Sequence, residues 1–289
     1  VPFEMTQSAA ALAVGLGGAV AVVRQTGTGT LLVGAGTLVL AAACYVAAFM
    51  FVARRHGIGR NFHYYATLGL ILTLAGLPLV VGDTTLGLVF GALGLASLAL
   101  GVRRGPACLA AHAAVYAFAA SAAVGVLSSA AYRLAAPAGV PWPPVTLAML
   151  AVIVLVGAGL AIPCSRASTD PITRIARLVV LALALCGAAA VAMEALTMWS
   201  RGTAVDAGSL ATMRTIVLAA AAMALAWVGR ADAFRESRWL VYPLLAAGAL
   251  KLVAEDFTHS HPSTLFIALA AYGAALIFAP RLTRRRLVQ

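Results

Sequence analysis

The chain has 289 residues, 63% of them hydrophobic and 10% charged, with a formal charge of +11. Soluble domains average about 45–50% apolar and about 25% charged residues, so this composition excludes a water-solvated globule and makes lipid the natural solvent. The positive charge does not imply a nucleic-acid partner: the arginines fall in pairs and triplets beside apolar segments, as topology signals and lipid-headgroup contacts do.

A helix needs about 17–25 mostly apolar residues to cross the hydrocarbon layer. Ten segments read as such spans: Ser8–Val23, Leu31–Ala53, Phe62–Gly82, Thr84–Val102, Ala107–Ser129, Val145–Pro163, Ile175–Ser200, Ala211–Gly229, Trp239–Ala254 and Ser263–Ala279. They are continuously apolar and rich in Ala and Leu, without the period-two alternation of barrel strands. The predicted fold class is therefore all-α: a polytopic membrane helix bundle of ten transmembrane helices, one transmembrane domain over residues 1–289. The stretch before the first span carries Glu4 and no basic residue, the opposite of a signal-peptide start. The chain begins at Val1 and not at Met, as a piece of a longer membrane protein would.

The breaks between spans act as punctuation. Thr26-Gly27-Thr28-Gly29-Thr30 is a flexible turn, Arg54 to Asn61 a basic one, and Asp83 marks a tight one. Pro137 to Pro144 (PAGVPWPP) is a stiff loop, because proline cannot continue a helix and restrains the residue before it. Thr169-Asp170-Pro171 reads as a helix start, a capping residue ahead of a first-turn proline.

Charge divides these breaks unequally. One alternate set holds Arg54, Arg55, Arg60, Arg103, Arg104, Arg166, Arg174, Arg177, Arg230, Arg235, Arg238, Arg281, Arg284, Arg285 and Arg286; the other holds Arg24, Arg133, Arg201 and Arg214. Lys251 sits inside a span. Basic loops stay in the cytoplasm during insertion, so both termini are expected on the cytoplasmic side of a bacterial inner membrane. Aromatic residues agree: Trp142 and Trp199 fall at expected outer boundaries, Trp227 and Trp239 at inner ones.

Ionisable groups inside spans are costly and so imply partners. Glu194 and Lys251 fall in the outer parts of the seventh and ninth spans, with Glu255 one turn beyond Lys251 and Asp256 next to it. One reading is a polar cluster of Glu194, Lys251, Glu255 and Asp256 whose carboxylates outnumber its single cation, suited to a proton or cation. The other has Lys251 turned outward to pair with Glu255 at the i,i+4 spacing while Glu194 stays solvated. His259 and His261, with Glu255 and Asp256, form E-D-x-x-H-x-H, ligand types that suit a divalent metal or simply an exposed polar loop.

His112 lies among small residues (A-A-H-A-A-V-Y), a setting that admits a flat macrocycle and ligation of its metal; hydrogen bonding to a neighbouring helix is the alternative. Cofactor identity is otherwise unknown from the sequence. Cys44, Cys108, Cys164 and Cys186 show no CxxC spacing and read as apolar fillers. No nucleophile elbow, H-E-x-x-H helix or P-loop is present, so no catalytic residue is assigned. Gly87 and Gly91 form a GxxxG step expected to let helices approach closely.

The stretch from Tyr242-Pro243 through Lys251-Leu252 and Glu255-Asp256-Phe257, followed by the last span and a basic tail, resembles the end of a bacterial family of very long, multi-span membrane proteins of unknown function. The likeness covers about fifty residues. It implies that Lys251 and Asp256 anchor the last hairpin, and it carries no activity with it.

Three functional classes follow, in this order: a scaffold or accessory subunit packed against lipid and other membrane subunits; a small-molecule or ion transporter using Glu194, Lys251 and Glu255; and a haem- or pigment-binding subunit through His112. The orientation is testable in whole cells, on a background with the native cysteines replaced. Asp206→Cys is expected to react with an impermeant thiol reagent, and Arg104→Cys and Arg285→Cys to be protected; the reverse pattern sinks the expected topology.

Overall fold

The computed structural model describes residues 2–104, 107–137, 140, 142–162, 170–200 and 206–283, and every regular element among them is helical. In chain order these are α1 (Pro2–Thr26), α2 (Thr30–Val46), α3 (Arg60–Val80), α4 (Asp83–Arg104), α5 (Ala107–Ala123), α6 (Val126–Ala135), α7 (Leu147–Ala161), α8 (Pro171–Trp199), α9 (Ala207–Val228), α10 (Arg238–Lys251) and α11 (Pro262–Thr283). α2 runs on through a π segment (Ala47–Val52) into a last turn (Ala53–His56), and α10 through a second (Leu252–Asp256) into Phe257–His259.

Among the described residues, six helices are long and apolar enough to cross a membrane, or seven if α5 and α6 count as one span. This is the composition of a membrane protein. α7, with 15 residues, is apolar but shorter. The continuous helix through α10 holds Arg238, Lys251, Glu255 and Asp256, which dilute its apolar character.

Short polar signals set the helix starts. Asp170 caps α8, accepting from the backbone N–H of Thr173 at 3.3 Å, with Pro171 as the first helical residue. Thr146 caps α7 through the N–H of Met149, and Asp206 caps α9 through that of Ser209 at 3.0 Å. The Asp206 cap starts α9 four residues ahead of the predicted span and so draws Arg214 into its second turn. The predicted span Ala107–Ser129 is likewise not one rod: α5 and α6 meet at a bend of 64°, and the helical path continues to Ala135. Gly125, at φ 77°, adopts the left-handed conformation that only glycine takes without penalty, which ends α5 and starts α6 in a new direction.

The chain divides into two compact units, residues 1–89 and 90–289. In the first, α2 and α3 pack with almost no space between backbones. A Cβ at Gly34 would lie 2.5 Å from Val80, one at Gly76 3.1 Å from Thr37, and one at Gly69 3.0 Å from the Tyr45 ring. Phe49 and Phe62 close the far end edge to face at 5.1 Å. Buried Thr37 and Thr73 satisfy their hydroxyls on the carbonyls of Val33 and Gly69, four residues back.

The second unit packs by the same means. α9, α10 and α11 share a core of Ala219, Ala222, Leu225, Ala226, Val241, Leu245, Ala275 and Ala279. Tyr272 reaches across to donate to the Leu245 carbonyl at 2.8 Å. Small residues at these crossings allow backbone approach, the chief source of helix adhesion where lipid removes the hydrophobic drive. α7 meets α8 where Gly187 faces Ile153, 2.6 Å from the position of an added Cβ. Gly91 meets Leu155 in the same way at 2.9 Å; Gly87, which belongs to the first unit, is buried.

Candidate functional site

At one end of the second unit, six charged side chains from α6, α8, α9 and the α10 extension meet. Arg133 is in the last turn of α6, Glu194 near the end of α8, Arg214 in the second turn of α9, and Lys251, Glu255 and Asp256 at the end of α10 and in its π segment. Arg133, Arg214 and Asp256 are almost wholly buried, at 0%, 2% and 0% exposure.

The two arginines are tied on every side. Arg133 donates from Nη1 to Glu194 Oε2 at 2.5 Å, from Nη2 to the Pro143 carbonyl at 2.6 Å, and from Nε to Ser129 Oγ at 3.1 Å. The Trp142 ring covers its guanidinium, centroid to carbon, at 5.5 Å, adding a cation–π contact. Arg214 donates from Nη1 to Glu255 Oε1 at 2.5 Å, from Nε to the Arg133 carbonyl at 2.7 Å, and from Nη2 to the Ala136 carbonyl. Those two carbonyls belong to the C-terminal end of α6, which has no following turn to satisfy them. A buried cation there meets both the orphan acceptors and the negative end of the helix dipole.

Lys251 turns inward. Its Nζ donates to the Ala211 carbonyl, to Thr215 Oγ1 at 2.9 Å and to Asp256 Oδ2 at 2.7 Å, and Thr215 Oγ1 donates to the same Asp256 oxygen at 2.9 Å. Residues five apart on an α-helix point about 140° away from one another. The π segment Leu252–Asp256 widens the turn and brings Asp256 round to the Lys251 face. Glu255 Oε2 lies farther off, 3.5 Å from Nζ.

Close packing surrounds these contacts. Gly208 admits the chain at 259–260: a Cβ there would lie 3.0 Å from the His259 carbonyl oxygen. Thr212 Oγ1 donates to the Gly208 and Thr264 carbonyls, fastening the start of α11 to α9.

The sequence reading brought Glu194, Lys251, Glu255 and Asp256 together but missed Arg133 and Arg214, counted there as loop cations. The network therefore holds three cations and three carboxylates, and the expected excess of carboxylates is corrected to balance. Lys251 pairs chiefly with Asp256, so the outward i,i+4 pairing with Glu255 is secondary. A signal was present: Arg133 in S-S-A-A-Y-R-L-A-A and Arg214 in L-A-T-M-R-T-I-V-L each stand alone among apolar and small residues, unlike the clustered arginines.

The histidine-containing loop is not drawn into one centre. Asp256 faces the interior, Glu255 is engaged by Arg214, His259 Nδ1 lies 2.6 Å from Thr258 Oγ1, and His261 is exposed. Among the described residues no group of three or more His, Cys, Asp or Glu side chains is arranged to hold a metal. Outside the helices, hydrogen bonds from Ser209 hold the Asp206 carboxyl below its ordinary range, and the nearby His261 adds to the effect. His112 is buried on α5, at some remove in sequence from the charged network and in the same unit. Comparison of the chain with family models, curated proteins and solved structures finds no match.

The ion pairs carry a prediction. Arg133→Met leaves Glu194 without its guanidinium and is expected to cost about 3–5 kcal/mol of stability, the loss typical when one partner of a buried pair is removed. Arg133→Met/Glu194→Met should recover part of that loss. Thermal unfolding in detergent reads both, and a single variant as stable as the parent sinks the idea that this pair holds the bundle.

Proposed function

We propose that this chain is a non-catalytic, ten-pass protein of the bacterial inner membrane, with both termini in the cytoplasm, that serves as a scaffold or accessory subunit of a membrane complex. The observation that carries this reading is the charge balance of the buried network. Three cations meet three carboxylates, and the arginines use further donors on the Ser129 hydroxyl and on backbone carbonyls of α6 and the following loop. Such an arrangement fixes helices in one geometry and commits both guanidinium charges to the protein itself.

Open small-residue faces give the partner side of the reading. Added Cβ atoms at Gly15, Gly17 and Gly18 on α1, Gly36 on α2, Gly157 on α7 and Gly273 on α11 would meet nothing within 4 Å. In lipid, smooth faces of this kind accept a neighbouring helix. The resemblance of the C-terminal stretch to long multi-span proteins fits the same picture, with Lys251 and Asp256 as its anchors.

A second reading, an ion or small-molecule transporter working through Glu194, Lys251 and Glu255, draws on the break at Gly125 and the π segment beside Lys251. Interrupted helices beside buried charges are how transporters build their sites.

The two readings separate experimentally. Extracted under native conditions, the scaffold migrates as a defined larger assembly, and Gly15→Leu/Gly18→Leu should release the chain from it without lowering its thermal midpoint. A chain that is monomeric in the parent form sinks the scaffold. If the chain is a transporter, Glu194→Gln and Lys251→Met are each expected to abolish ion-dependent uptake in vesicles; undiminished uptake in both removes that role.

A further inference from the structure

Lys251 is the single lysine of a chain with nineteen arginines. Its ammonium sits in a cage of oxygens: the Ala211 carbonyl, Thr215 Oγ1 at 2.9 Å and Asp256 Oδ2 at 2.7 Å. Asp256 is fully buried, and its second oxygen, Oδ1, has no hydrogen-bond partner. Ser260 Oγ, one turn further along the chain, is the other buried side-chain oxygen without one among the described residues. A carboxylate oxygen withdrawn from water and left unpaired is costly, so Asp256 favours a further donor or a cation.

The chemistry of the cage narrows which cation. Its ligands are a backbone carbonyl, a hydroxyl and one carboxylate, hard oxygens carrying a single full negative charge. A divalent ion calls for more ligand charge than one carboxylate supplies. An ammonium group and K+ are close in size, and K+ is bound by carbonyl oxygens that replace its hydration shell. An arginine fork would not fit a site of point-charge shape; an ammonium on a flexible stem does.

We propose that the Ala211 carbonyl, Thr215 Oγ1 and the Asp256 carboxylate form a binding site for a potassium-sized monovalent cation, with the Lys251 ammonium as its tethered competitor. When K+ enters, the ammonium keeps its proton and swings to Glu255 Oε2, now 3.5 Å away; no covalent bond forms or breaks. That movement leads toward water, since the Glu255 side chain is 25% exposed and Asp256 not at all. Glu255 Oε1 remains with Arg214, so the arginine pairs stay closed. K+ between the oxygens takes over the Asp256 Oδ2 contact that the ammonium gives up. The site goes beyond the scaffold reading and requires no partner protein.

The test uses the full chain in nanodiscs at constant pH and ionic strength, in potassium, sodium or choline chloride. Amine acylation, located by peptide mass, reports the exposure of Lys251 alone among side chains. K+ is expected to speed it several-fold over choline, and Na+ to do so less. Lys251→Met removes the competitor, so K+ at ten times its Kd should shift the unfolding equilibrium about tenfold toward the folded chain. The charge-neutral Lys251→Met/Asp256→Asn should show no preference among the salts. Equal acylation rates in potassium and choline overturn the site, as does a K+ preference surviving in the double variant; a Na+ response equal to that of K+ overturns the size assignment. Should Lys251→Met fail to fold, acylation of the parent chain decides.

Discussion

A guanidinium in a protein does not give up its proton, so burying one obliges the fold to surround it with acceptors. Arg133 and Arg214 impose that obligation here. Between them they engage two carboxylates, the carbonyls of Arg133, Ala136 and Pro143, and the hydroxyl of Ser129. The rest of the second unit's end is arranged to supply those acceptors. α6 must stop where its last carbonyls face α9, α8 must extend far enough to bring Glu194 to Arg133, and α10 must continue past Lys251 to bring Glu255 to Arg214. The break at Gly125 and the π segment at Leu252–Asp256 are the two backbone irregularities that make these reaches possible.

Much of the apolar framework is legible from composition alone. Apolar runs bounded by basic or glycine-rich breaks place most helices within a few residues, and Asp170-Pro171 marks the start of α8. Nothing in the run Ala107–Ser129 announces a bend except Gly125, and glycine is too common among these helices to be informative by itself. Arg133 and Arg214 were misplaced because a charge-counting rule treats each arginine as a loop residue unless its neighbours argue otherwise. Their isolation among small residues was the counter-evidence.

The candidate site was half legible for a related reason. Sequence spacing assumes a regular α-helix, and on one Lys251 reaches Glu255 and not Asp256. A π turn is a property of tertiary fit, invisible to periodicity. It exchanges the pairing of adjacent acids, sending Asp256 inward and leaving Glu255 for Arg214. The E-D-x-x-H-x-H run, which looked like one centre, is thereby split between the interior and the surface.

The chain order of the network has a consequence for biosynthesis. Arg133 precedes its partner Glu194 by 61 residues, and the carbonyl of Arg133 waits 81 residues for Arg214. At about 5–20 residues per second, the ribosome leaves α6 without these counterparts for several seconds. During that interval its guanidinium must stay in water or among lipid phosphates. Seating of α6 is therefore a late step, which waits until the end of α8 and the start of α9, through Arg214, have been made.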